Sequence, residues 1–392
     1  MSKKSQPKKS VAKAKATNGQ KKVTIVDIAK VCQVSPTTVS LIMNNKADHI
    51  SAETKLKVME ATKNYNYRPN LLASSLVTKK THTIALIVPD IRNPFFGEVA
   101  NGITEHLRKH NYTLLLCISG DKSDNDLPLI DTLASQMVDG VLYCMSGDMT
   151  RQDFASVYQK LISQHFPSLL LDRFYAEDFP NIQIVTLKHR QGGFLEMDHL
   201  LSQGHKNIAC ILGPSHLMDA NQRYLGYLQA FGGNATAHAL TTRLDLPSVA
   251  QAKTVWQTDD RLLFVYEGNY HASSGVEATQ DILAYNAKAP KEQQITAICA
   301  SNDLMAFGAL NCCQNQGVLV PSDISVIGYD DISLIPELSH ELTSLHQSPC
   351  ALGVHACDVL LNLISADHKV TTSIPEPYIA ERLTVCPPKH IS

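Results

Sequence analysis

VTIVDIAKVCQVSPTTVSLIMNN, running from Val23 to Asn45, is the stretch whose reading decides how the chain is organised. Thr24 and Asp27 have the spacing of a capping box, so a first helix begins there and carries Ile28 and Val31 toward a core. Ser35 followed by Pro36 is an N-cap with proline at the first helical position. The second helix carries Val39, Ile42 and Met43 and breaks at Asn44-Asn45. Only Cys32-Gln33-Val34 remains for the connection, which makes it a tight turn. Ser51 caps a third helix, whose Leu56, Val58, Ala61 and Tyr65 are expected in a common core, and helices this short survive only by packing on one another. Two helices across a tight turn form a helix-turn-helix. That unit places the start of its second helix against base edges and its capping hydroxyls on phosphates.

Charge agrees with this reading. Residues 1–80 hold 16 Lys+Arg against 4 Asp+Glu, which leaves 19 against 33 for the rest of the chain, so a basic head sits on an acidic body. Residues 1–22 hold eight lysines among Ser, Ala, Gln and Gly and are expected to be a disordered arm, serving either phosphate attraction or solubility. The ten cysteines include no CxxC pair, which predicts small core residues in a reducing compartment and no metal site. No apolar leader follows the N-terminal lysines and no run approaches a membrane span, so a cytoplasmic protein with no membrane partner is expected.

Beyond Thr81, apolar runs alternate with amphipathic stretches. Ile84–Val88, Leu114–Cys117, Val141–Tyr143, Leu169–Leu171, Ile208–Leu212, Leu262–Val265, Ile298–Ala300 and Ser325–Ile327 read as strands buried on both faces. Residues 96–110, 190–203, 219–231, 273–286 and 303–315 have helical spacing. About 300 residues of repeated βα units exceed one core, so two parallel sheets are expected.

The segment from Val23 to Asn45, with ISAETKLKVMEATKNYNYRPNLLASSL after it, resembles the head of the LacI/GalR family of transcription regulators. Thr24, Asp27, Ala29, Val34-Ser35, Thr38-Val39-Ser40, Asn44, Tyr67, Pro69-Asn70, Ala73 and Leu76 all fall at that family's spacing. The resemblance implies four parts: an arm at 1–22, a helix-turn-helix domain at 23–69, a hinge at 70–80, and a ligand-binding and dimerisation core at 81–392. It places Thr24, Ser35, Thr38 and Ser40 on phosphates or caps, Pro36, Thr37 and Leu41 over bases, and Asn44 in the same interface. Asn70 would cap a hinge helix that folds on the operator, with Ala73 and Leu76 in the minor groove and Leu76 as the wedge that unstacks a base step. Leu41 stands where some relatives carry Arg or His, which favours an apolar thymine contact over bidentate guanine recognition.

The resemblance extends over the rest of the chain, where the family has a fold like that of periplasmic binding proteins. It implies two doubly wound parallel-sheet subdomains with a ligand at the carboxyl ends of their strands. IALIVPDIRNPFFGEVANGITE, LGPSHLMDANQRYLGYLQAF, ASNDLMAFGAL and DISVIGYDDISL carry it. Asp303 and Asn302 are expected on the ligand, with a helix cap as the bland reading of Asp303, and Arg223 likewise, with a surface ion pair as its alternative. Phe95, Phe96 and Tyr270 supply flat walls, unless they are ordinary core. Asp90 and Asp172-Arg173 are further polar candidates that could merely end strands. Leu187 and Lys188 replace the Asp-Asn of many relatives, which would bring a positive charge toward the pocket and make an acidic ligand worth testing.

The sequence contains no phosphate loop, no HExxH and no nucleophile elbow, so an enzyme is not expected, and neither is a cofactor. A secreted solute-binding protein would share the body but not the head. The expected function is a repressor acting on a pseudo-palindromic operator, with a sugar or sugar derivative as effector and a purine or nucleoside as the alternative. Two-fold operators imply a homodimer, and the tail LTVCPPKHIS has no heptads to take it further.

Overall fold

The computed structural model describes residues 23–43, 47–67, 80–164, 166–175, 181–232, 254–257, 261–337 and 341–389. The arm at 1–22 and the DNA-contact candidates Asn44, Asn70, Ala73 and Leu76 lie outside the described residues. The chain divides into two compact units, Met1–Lys79 and Lys80–Ser392.

In the first unit the helices are Ile25–Cys32, Pro36–Met43 and Ala52–Asn64. Thr24 and Asp27 close the expected capping box, and Gln33 ends the first helix in the left-handed region at φ 57°, ψ 42°. The Val34 amide then returns to the Ala29 carbonyl at 3.0 Å, and the second helix leaves at 103° to the first, the angle of a helix-turn-helix. Ile28, Ala29, Cys32, Val39, Ile42, Ala47, Val58 and Ala61 form the core. Three expected core residues are not in it: Val31, Leu56 and Tyr65 are 47%, 61% and 49% exposed. A bundle this small buries one stripe per helix, and these three lie off it.

The second unit holds two sheets. Strands β1 (Thr83–Val88), β2 (Thr113–Ile118), β3 (Gly140–Tyr143), β4 (Ser168–Leu171) and β5 (Gln183–Val185) form the first, in the order β2-β1-β3-β4-β5, and all its pairings are parallel. The second contains β6 (Asn207–Leu212), β7 (Thr254–Gln257), β8 (Leu262–Glu267), β9 (Ala297–Ala300), β10 (Ser325–Asp330), β11 (Thr343–His346) and β12 (Tyr378–Ala380). Its order is β12-β11-β10-β9-β6-β8-β7. The inner pairings of this second sheet are parallel as expected, and only the edge strands β7 and β12 pair antiparallel, with β8 and β11. The inner strands carry nearly continuous apolar side chains and are buried on both faces.

The chain passes between the sheets three times: after β5, after β11, and before β12. The helix Pro349–Ile364 packs with Pro94–Lys109 over the first sheet, although it follows a strand of the second. Glycine permits this contact: a Cβ on Gly102 would fall 2.1 Å from the Cys350 carbonyl oxygen, and one on Gly353 2.2 Å from that of Val99. Among the described residues no single helix is long and apolar enough to cross a membrane.

Candidate functional site

In each sheet the first strand has neighbours reached in opposite chain directions, β1 between β2 and β3, and β6 between β8 and β9. Loops diverge beyond the carboxyl ends of such strands and leave a crevice. Asp90, Asn93 and Phe96 follow β1, Asp172 and Arg173 follow β4, Asp219 and Arg223 follow β6, Tyr270 follows β8, Ser301 and Asn302 follow β9, and Asp330 ends β10. These residues meet in one buried cluster.

At its centre Arg223 is 3% exposed, so the surface ion pair is ruled out as its role. Its Nη1 donates to the Ser301 carbonyl, its Nε faces His189 Nδ1 at 3.3 Å, and its Nη2 lies 4.0 Å from Asp330 Oδ1. The guanidinium also stacks 3.9 Å from the centroid of the Tyr329 ring. Arg173 pairs with Asp219 at 3.6 Å, and its guanidinium lies 5.4 Å from the Phe96 centroid and 4.8 Å from that of Tyr270. The Tyr270 hydroxyl donates to Asp219 at 2.7 Å, and Asn302 Nδ2 holds the Tyr270 carbonyl at 3.0 Å. Gly213 makes space for this ring, since a Cβ there would fall 2.0 Å from it.

Burial would raise the Asp172 carboxyl, but the facing His189, with Arg223 and Arg173, brings it down to about 2. Asp330 goes the other way: burial outweighs the pull of Arg223 and lifts it to about 7. Burial also holds Asp303 well above the carboxylate range, with the neighbouring Asp330 adding to the effect. Two arginines therefore share the cluster with Asp172, whose carboxyl is held low, with Asp219, which pairs with Arg173, and with two carboxyls displaced toward their protonated forms, Asp330 and Asp303. Asp172, Tyr270 and Asp330 hold φ values of 63°, 65° and 112°, unusual for residues with a Cβ and typical of sites where function overrides backbone preference.

Two cavities open on this cluster. An outer one of about 250 Å³ includes Asp90, Phe96, Asp121, Arg173, His216 and Tyr270 in its lining. An inner one of about 10 Å³ lies among Phe95, Asp172, Arg173, Asp219, Arg223, Tyr270, Asn302 and Asp330. The inner space holds one water at most, and even the outer one falls short of the roughly 300 Å³ at which ligand pockets begin. The cleft is therefore closed on itself. Among the described residues, three buried polar atoms in or next to this cluster lack a hydrogen-bond partner: Asp219 Oδ1, which lines the inner space, Ser301 Oγ, on the residue whose carbonyl Arg223 holds, and Gln347 Oε1, whose amide nitrogen donates to Asp330. Buried groups normally find partners, so these three atoms mark where the cluster is incompletely satisfied.

Asp90, Phe95, Phe96, Asp172, Arg173, Arg223, Tyr270 and Asn302 all line one or other cavity. Asp90 is already engaged by Arg92, whose Nη2 is 2.9 Å away. Asp303 does not line either cavity. Its carboxyl points into the second sheet and accepts from Ser344 Oγ at 2.6 Å and the Ile332 amide at 2.9 Å. Nor is it the helix cap, since Asn302 takes that place through the Met305 amide. Lys188 also departs from expectation: it pairs with Glu376 and lines neither of these two cavities, while Leu187 is buried. The sequence reading missed Asp330, Asp219 and His189. Asp330 was detectable, because it ends the apolar run SVIGYD just as Asp172 follows LLL.

In the head, Thr24, Ser35, Pro36 and Thr37 are exposed and Thr38, Ser40 and Leu41 half-buried. The Ser35 hydroxyl accepts from the Thr38 amide at 3.0 Å and so caps the second helix.

Comparison with known proteins covers both units. The family described as bacterial regulatory proteins, lacI family, matches residues 24–70. That described as periplasmic binding proteins and sugar binding domain of LacI family matches 81–243, and the periplasmic binding protein-like domain matches 197–385. The HTH-type transcriptional repressor PurR of Vibrio cholerae is 32% identical over 365 residues, covering 92% of this chain and 98% of that protein. That of Aliivibrio fischeri is 31% identical over 363 residues with the same coverage. The solved lac repressor dimer bound to operator and the anti-inducer ONPF aligns with a TM-score of 0.74 at 26% identity, covering 93% of this chain and all of that one.

Proposed function

The chain belongs to the LacI/GalR family of bacterial transcription regulators, and from that premise we propose that it acts as a homodimeric repressor whose grip on a pseudo-palindromic operator is set by a small effector held in the cleft. The head reads DNA through the start of the Pro36–Met43 helix, and residues 70–80 form the hinge that folds on the operator. No catalytic step is assigned to it. The observation that carries the effector reading is the closed cleft with three buried polar atoms left without partners.

The effector is an uncharged molecule with hydrogen-bonding edges and a flat face, which fits a purine base or nucleoside better than a sugar. Both arginines among the described residues of the cleft already face acidic side chains, Arg173 facing Asp219 and Arg223 facing Asp330, so a phosphate would have to displace an existing partner. Phe96 and Tyr270 accept the planar guanidinium of Arg173, and a heterocycle displacing that side chain would meet the same faces. The relatives named PurR, which match nearly the full length, support this choice. A thermal-shift screen of the full chain against purines, nucleosides, sugars and sugar phosphates tests it, because specific binding raises stability by mass action. The reading requires the largest shift from a purine or nucleoside. A sugar giving the largest shift would return the effector to the carbohydrate class.

Effector entry requires the cleft to open, and closure around the bound molecule fixes the two sheets of each protomer. We infer that this closure decides whether the paired hinges can fold on DNA. Circular dichroism of the chain with operator should then show a helix gain that depends on effector.

A further inference from the structure

Away from the cleft, three histidines gather where the helix Pro94–Lys109 ends. His106 and His110 are one turn apart, the spacing that brings two imidazoles to one helix face, and their rings lie 4.8 Å apart. His368, just after the helix Pro349–Ile364, places its ring 5.0 Å from His110, edge-on at 83°. One ligand atom from each of the three falls within 4.8 Å of the others.

The acid beneath them is Asp358, 1% exposed. Its Oδ2 accepts from the Thr371 and Thr372 amides and the Thr372 hydroxyl at 2.8, 3.1 and 2.9 Å, which fixes the carboxylate and leaves Oδ1 facing the histidines. Oδ1 lies 2.5 Å from His368 Nε2 and 3.4 Å from His106 Nε2. His106 is 9% exposed and its buried Nε2 has no hydrogen-bond partner. Asp358 Oδ1 is taken up by His368 and leaves His106 Nε2 without a hydrogen bond, whereas a divalent cation would take a lone pair from each of the three imidazoles.

We propose that His106, His110 and His368 form a binding site for a divalent transition cation of the Zn²⁺ class, with Asp358 as fourth ligand or as the anchor of His368. Tetrahedral zinc with Zn–N bonds near 2.0–2.1 Å puts its nitrogens about 3.4 Å apart, so each imidazole moves inward by about 1 Å. Both helical histidines sit at the helix C-terminal end, where the peptide dipoles favour positive charge. The ion would staple the end of that helix to the segment around His368, on the edge of the first sheet where β1 and β2 begin, beside the pairing of Thr83 with Thr113.

The test titrates chelator-treated full-length protein with Zn²⁺ against a chromophoric competitor, for the wild type and for His110→Ala/His368→Ala, whose replaced side chains are only partly buried. The wild type should take up one equivalent that the variant lacks and should melt at a higher temperature with Zn²⁺, while the variant's melting temperature stays put. Equal uptake by two folded proteins would overturn the assignment. Co²⁺ on the wild type alone gives a second reading, independent of how the variant folds. Tetrahedral d–d absorption without a thiolate charge-transfer band supports a histidine site, and a thiolate band or no tetrahedral spectrum contradicts it.

Discussion

His189 Nε2 lies 2.8 Å from Asp172 Oδ1, with both side chains nearly fully buried. Asp172 follows β4 of the first sheet, and His189 opens the helix that packs against the second, so this contact joins the two halves across the first crossover. The opposite ring nitrogen of His189 faces Arg223, which ties the crossover to the cleft.

Removing one partner of a buried pair leaves the other without compensation, at a cost of about 3–5 kcal/mol. Asp172→Ala should therefore lower the body's stability by that order in urea titrations. Asp90→Ala should cost about 1 kcal/mol or less, because Arg92 is 83% exposed. Equal losses for the two would contradict the assigned roles.

Asp330, raised to about 7, makes stability depend on pH with a definite sign. From about 4 to 7 the folded protein keeps a proton that the unfolded chain releases, so this group's stabilising contribution, complete in acid, is lost as pH rises through 7. Asp126, raised by burial to about 6 despite hydrogen bonds from Ser146 and Tyr143, adds a term of the same sign. Asp172 acts in the opposite sense: its contribution is present at neutral pH and is lost as pH falls below 4 toward 2. Urea midpoints at pH 5, 6, 7 and 8 for the wild type and Asp330→Asn check this, and the variant should show the shallower decline.

At the head's turn, Gln33 holds φ 57° without being glycine. Left-handed backbone costs a residue with a Cβ roughly 1–2 kcal/mol, most of all a β-branched one. Gln33→Val should lower the melting temperature of the head and weaken operator binding, whereas Gln33→Gly should leave both as they are or improve them.

Lys188 pairs with Glu376 and lines neither cavity, while Arg223 is buried at the centre of the cleft. Lys188→Ala should leave effector affinity within about twofold. Arg223→Ala should reduce it by about 30-fold or more, as expected on truncating one partner of a buried hydrogen-bonded charge pair. Isothermal titration with the effector found by the thermal screen separates the two.

The architecture was legible because apolar runs of three to five residues between amphipathic stretches have few other readings, and because the head carries its own capping signals. The edge strand Thr254–Gln257 was not, since TVWQ is short and mixed and gains its strand character only by pairing with β8. The cleft was legible where a polar residue follows an apolar run, as at Asp172. Direction was not: Asn302 and Asp303 are adjacent in sequence, yet only the first lines the cleft, because the start of the Asp303–Asn315 helix turns the second toward Ser344. Val31, Leu56 and Tyr65 mark the same limit in the head, where periodicity gives several apolar stripes and packing selects one.

The claim that the cleft controls the head is tested most directly by the operator dissociation constant measured with and without saturating effector, at one salt concentration, for the wild type and Arg223→Ala. The account predicts a shift of about tenfold or more in the wild type, within the usual range of allosteric coupling, and no shift in the variant. An operator affinity that ignores the effector in the wild type, or responds equally in Arg223→Ala, would contradict it.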